Sequence, residues 1–331
     1  MRPGNLTQTV WKRSVCNQLK KESKQAEIPF GAAECCSATK VGEQTIVTAE
    51  ATLSDRSEQI AVYAMIKAIN DLFTRGAEVV SVQVSYTFPT TVKESVIIRM
   101  MDAVKEFTRE QQVTLAGLKA QVQPGVVMNQ VHVVALGKVV QEDLLTPEQV
   151  KPGQELILCG SLALEGMERI VDTSEKELGQ RFIPGFLHQM KELKSELLQR
   201  EAIQAAWGHV TAMRQIGSGG ILAALWELAE ATKVGLKVEL LQMTVRQETI
   251  EVCEFYRLNP YQMTSTGAIL MVTEHGEELL QQLRAQGVRA ARLGTLEEGT
   301  TKVILNGNET RYLDRPAPDE LCLWQEERLQ Q

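Results

Sequence analysis

The stretch VTAMRQIGSGGILAALWELAEATKVGLKVEL, Val210–Leu240, decides how the chain is read. Its glycine cluster, Gly217-Ser218-Gly219-Gly220, leads straight into the helical run ILAALWELAEATKVG, and strand-forming residues return at Leu236–Leu240. Glycine ahead of a helix marks a backbone that must turn sharply before the first helical residue. The order is therefore turn, helix, strand. Working towards the carboxy terminus, a helix is expected around Gln247–Tyr256, a strand at Ala268–Thr273 and a helix at Gly276–Gln286. Asn306-Gly307 within VILNGNETRYL signals a tight hairpin. Towards the amino terminus a charged helical stretch covers Phe186–Ala206. The second half is mixed α/β. Pro316 and Pro318 mark an acidic, polar tail expected to fray.

The first half carries a different rhythm. TIVTA at Thr45–Ala49 is short and β-branched, and Ile60, Val62, Met65, Ile66, Ile69 and Leu72 recur at helical spacing. Val79–Tyr86 is rich in strand formers, Lys93–Gln112 is amphipathic, and short apolar runs follow at VTLAG from Val113 and VHVVALGKVV from Val131. This reads as βαββαβ or close to it. Pro147, Pro152 and Gly153 punctuate the chain just before the strand pattern ELILCG, which places a domain boundary near residue 150 and gives domains 1–150 and 151–331.

The 331 residues are long enough for two domains, each with its own core. A hydrophobic share of 44% and a charged share of 23% exclude a disordered chain. The net charge of -7 argues against a broad electrostatic footprint for nucleic acid or anionic lipid. Met1–Val15 has no apolar core of signal-peptide length, and no run approaches the roughly 18 apolar residues of a membrane span, so the chain reads as cytoplasmic. The six cysteines show no CxxC pair. Adjacent Cys35 and Cys36 are the one pair suggestive of redox or metal chemistry, but neighbouring cysteines rarely form an unstrained disulfide, and all six are read as reduced thiols. His132, His188, His209 and His275 are scattered and read as structural or surface residues, and Trp207, Trp226 and Phe255 as core packing.

Val210–Leu240, its continuation VRQETIEVCEFYRLNPYQMTSTGAILMVT (Val245–Thr273) and INDLFTRGAEVVSVQVS (Ile69–Ser85) together resemble the aminoimidazole-ribonucleotide (AIR) synthase, or PurM-like, superfamily. Within it the likeness is to HypE-like hydrogenase maturation factors, and it spans nearly the whole chain. The resemblance implies a two-domain α/β (α+β) fold: a ferredoxin-like amino-terminal domain whose strands form a barrel across a homodimer, and a mixed α/β carboxy-terminal domain. It implies ATP and magnesium as cofactors, with a phosphoryl group activating an amide or thioamide oxygen. Such chemistry needs cations and N–H donors aimed at developing phosphate charge, and magnesium needs oxygen ligands.

Carried over position by position, the family's motifs are only partly filled. The glycine-rich acidic loop matches Gly31 to Ala38, with Glu34 kept and Cys35 where an Asp is usual. The strand-end Thr-Asp pair matches Ala49-Glu50, and the Asn-Asp pair is retained as Asn70-Asp71. The Gly-Gly-x-Thr-Glu loop matches Ala116 to Ala120, placing Lys119 and Ala120 at the polar positions. The Asp-x-x-x-Gly-Gly motif becomes Gln215-IGSGG, which keeps Gly219 and Gly220 but loses the Asp. The expected metal ligands are thus Glu50 and Asp71, and the expected nucleotide or anion contacts are Glu34, Asn70, Lys119, Ser218, Gly219 and Gly220. A glycine cluster before a helix either cradles phosphate or serves conformation alone. The family's acceptor cysteine at the carboxy terminus has no match, since the chain ends in Gln331 and Cys322 is followed by LWQEERLQQ. Two functions remain: a non-catalytic dimeric relative with an eroded ATP–magnesium site that binds nucleotide, anion or a maturation or accessory protein, and an active ATP-dependent amide- or thioamide-activating enzyme.

Overall fold

The structure is a computed structural model that describes residues 4–19, 35–140 and 144–330. Five strands, β1 (Cys36–Val41), β2 (Gln44–Asp55), β3 (Ala77–Phe88), β4 (Leu115–Val122) and β5 (Asn129–Val139), form one sheet in the order β1-β2-β5-β3-β4. Helix α1 (Ile60–Phe73) joins β2 to β3 and helix α2 (Glu94–Glu110) joins β3 to β4. The helical crossover between them makes β3 and β4 parallel, while the other neighbours are antiparallel. The sequence of elements from β2 onward is βαβαββ, which corrects the expected βαββαβ: β4 and β5 follow one another after the second helix.

Alternation decides which face is covered. In β5, Val131, Val133 and Ala135 are buried, while His132, Val134 and Leu136 lie on the opposite, partly exposed face. Every residue of α1 is buried except Lys67. A helix that is apolar all round must be covered on all sides. One side of α1 packs on the first sheet, and its end meets the second half of the chain.

There, a seven-stranded sheet takes the order β12-β11-β8-β10-β6-β9-β7, from β6 (Glu155–Cys159), β7 (Ala212–Gln215), β8 (Gly235–Glu239), β9 (Ile269–Thr273), β10 (Ala290–Glu297), β11 (Lys302–Asn306) and β12 (Glu309–Tyr312). Ile157 and Cys159 of β6 belong to the apolar cluster that contains α1, whereas Leu156 and Leu158 belong to the cluster on the other face. The helices are α3 (Leu164–Leu178), α4 (Pro184–Glu192), α5 (Arg200–Ala206), α6 (Gly220–Thr232), α7 (Gln247–Tyr256), α8 (Gly276–Ala285) and α9 (Glu320–Gln330). Asn306 pairs with Glu309 around Gly307, whose φ of +58° suits the tight hairpin read from the sequence.

Two expectations need correcting. The helix over Phe186–Ala206 is broken into α4, a 3-10 turn at Leu193–Leu197 and α5. The side chain of Asn70 holds the second break, its Nδ2 donating to Leu197 O (2.8 Å) and its Oδ1 accepting from Gln199 N (3.0 Å). The tail does not fray but forms α9, burying Leu321 and Trp324. Trp207 and Trp226 are only half-buried and Phe255 is exposed, so these aromatics sit at the rim of the core.

Polar groups stitch the two halves. Arg169 Nε donates to Asp55 Oδ2 (2.7 Å), its Nη1 to Glu165 Oε1 (2.9 Å) and its Nη2 to Ser54 O (3.0 Å), all with their side chains buried where charged. Gln325 of α9 donates to Asp55 Oδ2 at 2.9 Å. Nearby, Tyr63 OH and Ser57 Oγ both donate to Asp172 Oδ2 (2.9 and 2.7 Å). Burial and the neighbouring Asp172 push Glu168 up to about 8, and its Oε1 has no hydrogen-bond partner. No helix among the described residues is long and apolar enough to cross a membrane.

Candidate functional site

A cavity of about 470 Å³ opens where the end of α1, the first two strands and the glycine loop after β7 converge. The carboxylates of Glu50, Asp71 and Glu227 line it, together with Lys67, Arg214 and the vicinal Cys35 and Cys36. Helical spacing explains the first pair. Lys67 and Asp71 are four residues apart and so share one face of α1. Lys67 reaches the glycine loop, its Nζ lying 3.5 Å from where a Cβ on Gly217 would be. Arg214 and Glu227 form an ion pair across the wall.

In the cavity wall, Gln215 is the hub. Its Nε2 donates to Asp71 Oδ1 (2.9 Å) and to Lys67 O (3.0 Å). Its Oε1 accepts from Asn70 Nδ2 (2.9 Å) and Gly267 N (3.3 Å). A carboxylate could accept but not donate, so only an amide satisfies all four contacts. Burial pushes Asp71 up to about 6, while Lys67, the hydrogen bonds from Gln215 and Cys35, and Arg75 pull the other way. The Cys36 thiol donates to Asp71 O (3.3 Å), and its hydrogen bond with Cys35 and its burial raise it well above the ordinary thiol range.

The glycine loop is conformationally committed. Gly219 and Gly220 have φ of +82° and +65°, and a Cβ on Gly220 would come 2.5 Å from Tyr261 O. Gly219 N donates to Asp319 Oδ2 at 2.7 Å, and Asp319 Oδ1 accepts from Leu321 N (2.9 Å) and Cys322 N (3.3 Å). One buried carboxylate thereby caps α6 and α9 together. The segment Arg315–Asp319 also walls a second cavity of about 830 Å³ that shares Asn5, Ser218 and Glu227 with the first.

The expected site residues are therefore brought together only in part. Glu50, Asp71 and Ser218 line one cavity. Asn70 lies buried beneath it with its amide spent on structure. Gly219 presents its N–H to Asp319, and Gly220 is sealed under Tyr261 and Met263. Lys119 is exposed on β4, which is separated from Glu50 on β2 by β5 and β3; three strand spacings amount to roughly 14 Å, so it does not join the glycine loop within one chain. Glu34 lies outside the described residues. The cation that does reach the loop is Lys67, which the sequence reading passed over. Its signal was available: it is the one charged residue in the run IAVYAMIKAIN. Asp319 was hidden because its partner lies 100 residues earlier in the chain.

A magnesium ion in this cavity would find carboxylate oxygens from Glu50 and Asp71, of which Asp71 Oδ1 also accepts the Gln215 amide N–H.

Residues 151–306 match the family model of the AIR synthase related protein, C-terminal domain. A putative hydrogenase expression/formation protein of Methanocaldococcus jannaschii is 22% identical over 266 residues, covering 78% of this chain and 76% of its own. The chain superposes on the structure of a HypE–HypF complex with a TM-score of 0.69 at 15% identity, covering 92% of this chain and 100% of the other. It superposes on AaThiL complexed with AMPPCP and TMP with a TM-score of 0.70 at 15% identity, covering 92% and 95%.

Proposed function

We propose that this chain, whose residues 151–306 form an AIR synthase-related C-terminal domain within the PurM-like fold of HypE and ThiL, is a non-catalytic relative of those enzymes that keeps a weak nucleotide or anion pocket. The observation that carries the reading is the Gln215–Asp71 hydrogen bond. In a metal site, two acids would share a cation. Here an amide hydrogen takes the cation's place and offsets part of the cost of burying Asp71, with no ion required. Glu50 and Asp71 then remain as the only candidate ligands from the family's set among the described residues, too few to gather paired magnesium ions around a triphosphate.

What survives suits binding. Lys67 offers a positive charge over Gly217, and Ser218, Ser37 and Thr48 offer hydroxyls to the same cavity. Asp71 and Glu50 oppose an anion there, so affinity rests on Lys67 and falls steeply with salt. The chain is taken to act as a cytoplasmic homodimer, built on the partly exposed face of the first sheet that carries His132, Val134 and Leu136. A maturation or accessory protein is a fitting partner class, since HypE is seen in complex with HypF. An active ATP-dependent enzyme acting on an amide or thioamide is the second reading, favoured by the polar cavity that still holds Asp71, Glu50 and Lys67 together.

ATP hydrolysis by the purified protein, alone and with amide or thioamide substrates, separates the two. The proposal expects a thermal shift with ATP and no turnover. Steady ADP release that vanishes in Asp71→Asn would refute it.

A further inference from the structure

The amide of Gly219 is the donor that a glycine loop at a helix start would offer to an anion, and it is taken. Asp319 is 2% exposed and places Oδ2 at 2.7 Å from Gly219 N. Its other oxygen holds Leu321 N and Cys322 N, so the same carboxylate begins α9. The approach to the loop is walled on that side by Arg315, Pro316, Ala317 and Pro318. Beyond Asp319, α9 is held by Leu321 and Trp324, which are buried in the core, by Gln325, which bonds to Ser54 O and Asp55 Oδ2, and by Arg328, which pairs with Glu177 and lies over Trp324 and Tyr256.

We propose that the strap from Arg315 through α9 is an intramolecular inhibitor of the anion pocket, with the Asp319 carboxylate occupying the Gly219 amide in place of a phosphoryl oxygen. This rests on the pocket reading above. Sterics make the two occupants exclusive: one N–H cannot donate fully to two anions, and a phosphate within hydrogen-bonding distance of Gly219 N would meet the Asp319 carboxylate. Lys67 and Ser218 then bind a phosphate weakly while the strap is docked. Ser218 lies in both cavities, Lys67 in the first and Gly219 in the second, so a phosphate seated at Ser218 is bound more tightly once Asp319 withdraws and the Gly219 amide becomes available beside it.

Pyrophosphate and ATP, without added metal, serve as probes in calorimetry on the full chain. Asp319→Asn removes the competing charge and is expected to bind pyrophosphate at least tenfold more tightly than the unaltered protein. In the unaltered protein, saturating pyrophosphate is expected to speed amide hydrogen exchange across 319–330 as the strap lifts. A folded Asp319→Asn protein that binds no more tightly, or slower exchange across 319–330 on binding, overturns the strap while leaving the pocket intact. Absence of binding by either protein overturns the pocket reading and the strap with it. Where Asp319→Asn fails to fold, the exchange experiment alone decides.

Discussion

Gln215→Glu tests the amide hub directly, because it changes one donor into an acceptor without changing side-chain length. The substituted oxygen would face Asp71 Oδ1 across the present 2.9 Å contact and Lys67 O across 3.0 Å. Two ionised carboxylates at that separation repel by about 6 kcal/mol at an effective dielectric constant of about 20. The pair has a cheaper course. Asp71 already titrates near 6, so protonating it at pH 7 costs about 1.4 kcal/mol. Adding the lost bond to Lys67 O, about 1 kcal/mol, and the burial of a new charge, the total loss at pH 7 is about 2 to 4 kcal/mol. The proton contribution gives the effect a signature. At pH 5 Asp71 is protonated in the folded unaltered protein too, so that contribution disappears; above pH 6 it grows by about 1.4 kcal/mol per unit. Urea unfolding of both proteins at pH 5, 7 and 8 measures it. A variant as stable as the original at pH 7, or one whose deficit is the same at pH 5 and 8, would show that Gln215 is not the neutral bridge that replaces a cation.

Glu168→Gln is expected to stabilise the protein: the folded carboxyl is held near 8 against an ordinary 4.5, so at pH 7 folding must take up a proton, and removing that requirement gains about 3 kcal/mol that vanishes near pH 4. Equal stability of the two proteins at pH 7 by urea unfolding would contradict it. Arg169→Ala leaves Asp55 and Glu165 buried without their partner and is expected to cost about 3 to 5 kcal/mol in the same assay; a loss below about 1 kcal/mol would mean the network is solvated. Magnesium is expected not to tighten ATP binding, and calorimetry showing more than a tenfold gain, about 1.4 kcal/mol, would restore the metal site. Light scattering at micromolar concentration is expected to give a dimer; a mass near the single-chain 36.8 kDa would remove it.

The fold was largely legible because its strongest signals are local. Helical spacing from Ile60 to Leu72, the β-branched run Val79–Tyr86 and the turn at Asn306-Gly307 each act over a few residues. The misses came where a distant partner overruled local preference. Asn70 diverts the backbone at Leu197 and Gln199, and nothing near those two residues announces it. Asp319 turns a proline-punctuated tail into a capped helix by sharing its carboxylate with Gly219. For the site, motif matching located Asp71, Glu50 and Ser218 on one cavity, yet it treated Gln215 only as a missing acid. That the replacement makes four hydrogen bonds of its own follows from the geometry of its neighbours, not from its identity.

The bond from Gln325 to Asp55 sets a timetable for the chain as it is made. Its partners are 270 residues apart, so Asp55 leaves the ribosome long before the helix that helps cover it. At about 5 to 20 residues per second that interval lasts about 14 to 54 s. For about the first half of it the far end of α1, whose Asn70 waits for Leu197, Gln199 and Gln215, lacks these partners. The first five strands can pair at once, but their principal helix stays half covered until the rest emerges. A nascent chain of this design therefore carries one side of an apolar helix uncovered until the middle of the second half has been made, the kind of transient surface that favours association before folding is complete.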